Sequence, residues 1–195
     1  LFLNASGLGY EAEDETLLSH ESPQTLGVAG GSWCPYGLGG VSPDLAVDQR
    51  EDDGRSLVFD SSPLTDALVV VGAPEVHLRL AVDQANAFVV VRLTDVSPDG
   101  VSRRVSYGML NLSRRSGFDA TVPMVPGEPT DVVIRLNDLA HQFAAGHRLR
   151  LAVSTTYWPM VWPSGSPASL TLTAAASRLA LPARPLDLDD DVALA

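Results

Sequence analysis

Serine hydrolysis needs a hydroxyl held on a strained strand-to-helix turn, and the G-x-S-x-G elbow that builds this turn is absent from the chain. Gly31-Ser32-Trp33 and Ser164-Gly165-Ser166 come nearest and fail the spacing. The four histidines, His20, His77, His141 and His147, form no H-x-x-x-H or H-E-x-x-H pair, so neither a metal site nor a cofactor is expected. Acid–base work also requires a positioned partner. His77 reads as the polar face of a strand, His147 as a strand start after Gly146, and His141 as a capping or packing residue. Cys34 lies between Trp33 and Pro35-Tyr36 with nothing nearby to depress its pKa, which reads as a buried, inert thiol. Asp48, Glu51, Asp52 and Asp53 surround Arg50 and Arg55, a pattern that favours a salt-bridged turn over a cation site. No catalytic residue is assigned.

The aromatic residues carry more information. Tyr157, Trp158 and Trp162 lie together after a strand, and Trp33 and Tyr36 sit in a glycine-rich loop. Two readings fit them. Aromatics on β-sandwich loops could stack on sugar rings, as in a carbohydrate-binding module. Alternatively they fill the gap between this domain and a neighbour, since aromatics bury much area at low entropic cost. The second reading is favoured.

The elements that must position these residues follow from periodicity. The chain has 195 residues and is 45% hydrophobic, enough for one sizeable core. Its 13 basic residues against 24 acidic ones give a net charge of −11, which argues against nucleic-acid and anionic-membrane partners. No run approaches the ~18 apolar residues of a membrane span. A lone cysteine builds no disulfide framework. Leu1-Phe2-Leu3-Asn4 reads as the interior of a longer chain, with cytoplasmic residence as the default expectation.

Alternation of period two predicts half-buried strands at 76–82, 132–136, 149–153 and 170–173. Phe88 to Val91 is apolar on both faces, as a central strand would be. Pro98-Asp99-Gly100 predicts a hairpin joining 88–96 to 105–112, and Leu57–Phe59 and Leu68–Val71 are shorter strands. The best helical turn runs from Asp138 to Phe143. The predicted class is all-β, a mostly antiparallel β-sandwich of jelly-roll type, over residues 56–185. Residues 1–55 read as an irregular connector and docking segment packed on the sandwich, and 186–195 as an acidic, frayed tail.

One ordered set of motifs adds a family resemblance. Ser62-Pro63-Leu64, Gly72-x-Pro74, Asp95-Val96-x-Pro98-Asp99-Gly100, Gly127-Glu128 and Phe143-x-x-Gly146-His147-Arg148-Leu149-Arg150 follow one another along the chain. Trp33-Cys34-Pro35-Tyr36-Gly37, Asp48-Gln49-Arg50, Tyr157-Trp158-Pro159, Trp162-Pro163-Ser164 and Leu181-Pro182-x-Arg184-Pro185 complete the set. Together they resemble the C-terminal domain of cocaine-esterase-like enzymes, α-amino-acid ester hydrolases and Xaa-Pro dipeptidyl-peptidases. The resemblance implies a galactose-binding-type jelly roll that follows an α/β-hydrolase domain in the same parent chain. The Ser-Asp-His triad belongs to that other domain, so the segment is expected to be inert alone. By the same resemblance, Trp33 and Tyr36 help line the substrate pocket or dock the hydrolase domain. Tyr157, Trp158 and Trp162 remain candidates for the interface or for a sugar platform. An exposed apolar patch from Trp33 to Tyr36 would also drive self-association into a homo-oligomer.

Overall fold

A computed structural model describes residues 1–36 and 44–185. The acidic tail and Gly37, Gly39 and Gly40 lie outside the described residues. Among the described residues fourteen strands are formed: β1 (Phe2–Asn4), β2 (Gly7–Gly9), β3 (Thr16–Glu21), β4 (Leu57–Asp60), β5 (Leu68–Gly72), β6 (Glu75–Val82), β7 (Phe88–Val96), β8 (Ser102–Asn111), β9 (Thr130–Arg135), β10 (Leu139–Phe143), β11 (Arg148–Ser154), β12 (Ser169–Ala174), β13 (Arg178–Ala180) and β14 (Ala183–Arg184). One turn of α-helix, α1 (Arg50–Asp53), precedes β4, and a 3-10 turn at Leu112–Arg114 follows β8. The strands build a seven-stranded sheet ordered β2-β1-β13-β6-β12-β3 with β9 paired to β6, a four-stranded sheet β4-β11-β7-β8, and a three-stranded sheet β10-β5-β14. Among the described residues every strand pairing is antiparallel. The chain is therefore an all-β sandwich.

The alternation read from sequence sets the core. Val76, Leu78, Leu80 and Val82 of β6 point inward with Leu170 and Leu172 of β12. They meet Val89, Val91 and Leu93 of β7, Leu149, Leu151 and Val153 of β11, and Phe59 of β4. Each is nearly or fully buried, and their contact is the dominant favourable term for folding. The β7–β8 hairpin turns at 98–100, where Gly100 adopts φ +87°.

Two expectations fail. Asp138 to Phe143 is no helical turn: Leu139–Phe143 pairs residue for residue with Leu68–Gly72. Leu139 and Phe143 share helical spacing, but the five-residue ladder to β5 decides the conformation, as tertiary context does for weak propensities. The first 21 residues also differ from the expected irregular segment, because β1, β2 and β3 are built into the seven-stranded sheet.

Residues 22–56 explain a feature of the central strand. Every residue of β7 after Phe88 is buried, although one face of a two-sheet sandwich normally meets water. Residues 22–36 and 44–56 cover that outer face. Leu26 joins Val90, Tyr157, Met160 and Val161 in a second apolar cluster on the side of the four-stranded sheet away from the main core. Among the described residues the covering layer consists of coil and the turn α1, without strands of its own.

Candidate functional site

Beneath this covering layer lies a network of charged residues. Arg92, central on β7, is fully buried and surrounded by acid. Its Nη2 donates to Ser56 Oγ at 2.8 Å and lies 3.3 Å from Asp53 Oδ1, while Nη1 is 3.8 Å from Asp52 Oδ2. Arg150 on β11 forms a bidentate pair with Asp60, from Nε at 2.6 Å and Nη2 at 2.7 Å, and reaches Asp53 Oδ2 at 3.2 Å. Two guanidiniums thus face three carboxylates. The hydrogen bond to Asp60 holds the Arg150 guanidinium above its ordinary pKa, against the opposing effect of burial. Such a network is costly to break, because a partner left alone is an uncompensated buried charge.

The segment's carboxylates and amide fasten it to the sandwich and to itself. Asp52 accepts from the backbone N–H groups of Gly27 at 2.9 Å and Ala29 at 3.0 Å. Asp53 accepts from Ser102 Oγ at 2.7 Å. Gln49 is buried; its Nε2 donates to the carbonyls of Ala29 and Val47, both at 2.6 Å. Its Oε1 accepts from the Tyr157 hydroxyl at 2.7 Å, and that hydroxyl accepts from Arg104 Nη1 at 2.8 Å. Asp48 accepts from Arg50 and from the Ser102 backbone N–H. Burial pushes the Asp48 carboxyl upward, but these hydrogen bonds outweigh it and hold it below its ordinary value. The expected salt-bridged turn is present at Arg50–Asp48 and Arg55–Glu51. The inward pairing of Asp52 and Asp53 was not legible, because their partners stand some forty and a hundred residues away in sequence.

On the covering layer and on the neighbouring 157–162 loop, apolar side chains face solvent. Trp33 is 71% exposed, Tyr36 81% and Trp162 76%, with Val28 and Val47 also open. Their loops are joined. Trp158 N–H donates to the Leu26 carbonyl at 2.8 Å, Val47 N–H to Ala29 at 3.2 Å, and Ser32 N–H to Asp44 at 2.7 Å. Gly27 sits against the backbone of Trp158 with φ +123°, a conformation and a closeness that only glycine accepts. The aromatics of 33–36 and 158–162 therefore stand on one fastened cluster of loops.

Each sequence candidate can now be placed. Tyr157 is fully buried, its ring 4.8 Å from the Arg92 guanidinium, so it supports the layer from within. Burial pushes its phenol pKa up, with Arg104 and Arg92 acting in the opposite direction. Trp158 and Trp162 meet edge to face, 5.0 Å apart at 81°, and so offer one ring each rather than one flat surface. Cys34, expected to be buried, is exposed. The tight packing inferred from its aromatic neighbours does not arise, because Trp33 and Tyr36 themselves point to water.

The histidines divide differently from expectation. His141 Nε2 and His147 Nδ1 both bond the carboxylate of Asp95, at 2.9 and 2.7 Å, a shared partner between strands that sequence spacing could not reveal. Asp95 thus ties the two rings together across the sheet edge. His20 bonds the Arg55 carbonyl at 2.8 Å and helps tie the segment to β3. His77 lies near Glu75 on the outer face of β6. Among the described residues no helix is long and apolar enough to cross a membrane.

Comparison with known proteins gives this architecture a context. Residues 1–188 match the model of the X-Pro dipeptidyl-peptidase C-terminal non-catalytic domain. The cocaine esterase of Rhodococcus sp. is 26% identical over 115 residues, covering 58% of this chain and 20% of that protein. Among solved structures, an aminopeptidase from a marine sediment archaeon of the Thaumarchaeota superimposes with a TM-score of 0.78 at 20% identity, covering 95% of this chain and 36% of the other. An α-amino-acid ester hydrolase superimposes with a TM-score of 0.74 at 23% identity, covering 94% of this chain and 36% of the other. The chain thus spans about a fifth of the curated relatives it matches and about a third of the solved chains.

Proposed function

This chain belongs to the family of X-Pro dipeptidyl-peptidase C-terminal non-catalytic domains, and on that premise we propose that it braces an α/β-hydrolase domain of the same parent protein and narrows the entrance to that domain's active site. The parent would cleave an ester or an Xaa-Pro amide through an acyl-enzyme formed on its own serine. The chain's part is mechanical. A hydrolase needs its nucleophile and oxyanion donors fixed to within a fraction of an ångström, and a rigid sandwich docked beside them restricts their loops.

The observation that carries this reading is the outward face of the covering layer. Trp33, Tyr36, Trp162 and the half-exposed Trp158 stand there with Val28 and Val47, backed by a buried ionic network instead of a mobile loop. Exposed aromatic and apolar side chains of this kind mark surfaces that a partner covers, and tryptophan and tyrosine are the side chains that dominate interface energetics. In this reading Trp33 and Tyr36 meet the hydrolase domain at the pocket mouth, and Trp158 and Trp162 extend the contact, while Tyr157 holds their loops from below.

Two assays on purified material test the proposal. Alone, the chain is expected to turn over neither activated esters nor Xaa-Pro anilides, and to carry no residue labelled by a serine-directed fluorophosphonate. Added to the separately produced hydrolase portion, it is expected to raise that portion's melting temperature. Hydrolysis with a labelled residue in this chain, or no thermal effect on the hydrolase portion, would count against it.

A further inference from the structure

We propose that Asp52 is the positioning residue of the docking face: its two carboxylate oxygens set the backbone of the 26–33 loop and, through Gly27, the 157–162 loop. This deepens the docking reading above and rests on it. The neighbouring carboxylates Asp52 and Asp53 are both buried, yet they point to different tasks. Asp53 spends its oxygens on the sheet, accepting from Ser102 on β8 and Arg150 on β11 and lying beside Arg92. Asp52 spends both on the loop, one on Gly27 N–H and one on Ala29 N–H, with Arg92 at 3.8 Å supplying the compensating charge.

Two N–H groups two residues apart, both aimed at one carboxylate, fix the local backbone direction far more tightly than either bond alone. The intervening Val28 is thereby turned out to solvent, where it is 60% exposed. Gly27 in turn packs on the Trp158 backbone, and Leu26 accepts from Trp158 N–H. Loops carrying aromatic groups more than 120 residues apart in sequence thus share one buried acid as an anchor, beside the Gln49 and Val47 bonds to Ala29. Pre-organisation of this kind removes the ordering penalty that a loose loop would meet on docking.

The test is residue-resolved amide hydrogen exchange on the free chain, comparing wild type with Asp52→Asn and Asp53→Asn. An asparagine at 52 keeps the size but turns one acceptor into an NH2 group that faces an N–H donor. Exchange is expected to rise at least about tenfold across 26–33 and 157–162 in D52N, with β6 and β12 unchanged. D53N is expected instead to loosen β7, β8 and β11 without this loop-selective signature. Uniform change in D52N, or none in the two loops, overturns the proposal. Should D52N fail to fold, wild-type rates still decide: Gly27 and Ala29 amides must exchange at least about tenfold more slowly than the Val28 amide between them, and equal rates refute the clamp. No partner is present in this experiment, so its outcome is independent of docking. The docking reading fails separately if Trp33→Ala leaves binding to the hydrolase portion unchanged.

Discussion

Gly27→Ala offers the sharpest perturbation of the covering layer. A Cβ placed on Gly27 would lie 1.7 Å from the Trp158 carbonyl oxygen and 2.7 Å from its nitrogen, both backbone atoms that cannot rotate away. The residue also holds φ +123°, where a side chain is strained whatever the space. The backbone strain amounts to about 1–3 kcal/mol, and forced displacement in a packed region adds about 1–3 kcal/mol more. Moving the loop would further weaken the Gly27–Asp52 and Trp158–Leu26 hydrogen bonds, at 2.9 and 2.8 Å. A loss of about 4 kcal/mol corresponds to a melting shift of about 8–16 °C for a chain of this size. Gly127→Ala supplies the control, because it too has positive φ, +78°, but open space around its Cβ. It should lose about 1 kcal/mol, or about 2–4 °C. Urea unfolding of both variants beside wild type separates crowding from backbone strain, with equal m-values confirming a common unfolded reference. Melting temperatures within about 2 °C of each other would show that the 26–33 loop is not packed on Trp158 in solution.

Three other perturbations have defined outcomes. Tyr157→Phe removes the hydroxyl shared by Gln49 and Arg104 and leaves the Gln49 carbonyl oxygen buried without its donor. A loss of about 1–3 kcal/mol in chemical denaturation is expected, and no change would mean that water replaces the hydroxyl. Because burial raises the Tyr157 phenol, the wild-type minus Y157F absorbance titration should show a tyrosine ionising above the ordinary value of about 10, and stability should fall as pH rises through that transition. Asp48 is held below its ordinary value, so it stabilises the fold above pH ~4 and loses that contribution as pH falls through its lower, folded-state value. Asp48→Asn should therefore flatten acid unfolding below about pH 4, and an unchanged acid limb would dissociate Asp48 from the stability of the layer.

Much of the sandwich was legible because its strands alternate. In β6 and β12 the apolar positions of one face are the core positions, and the pattern needs no knowledge of the partner strand. What was hidden depends on residues that alternate for a different reason. Arg92 and Thr94 look like the wet face of β7, yet they are fully buried because residues 22–36 and 44–56 fold over them. A covering layer of coil leaves no periodic mark, and its buried acids look like any charged turn. The aromatics were found by type, but burial sorted them. Tyr157 went inward because Gln49 and Arg104 could satisfy its hydroxyl, while Trp33 and Tyr36 stayed outside. The Asp95 bridge between His141 and His147 was invisible for the same reason as the Arg92 network: β7, β10 and the turn before β11 must assemble before the partners meet.

Docking itself is measured most directly by titrating the purified chain into the separately produced hydrolase portion in a calorimeter, with wild type and a Trp33→Ala/Trp162→Ala variant compared. Saturable binding is expected for wild type. The variant should bind at least about thirtyfold more weakly, since removal of central aromatic anchors costs about 2 kcal/mol or more. Equal affinity for both chains, or no heat of binding for either, would contradict the role assigned to this face.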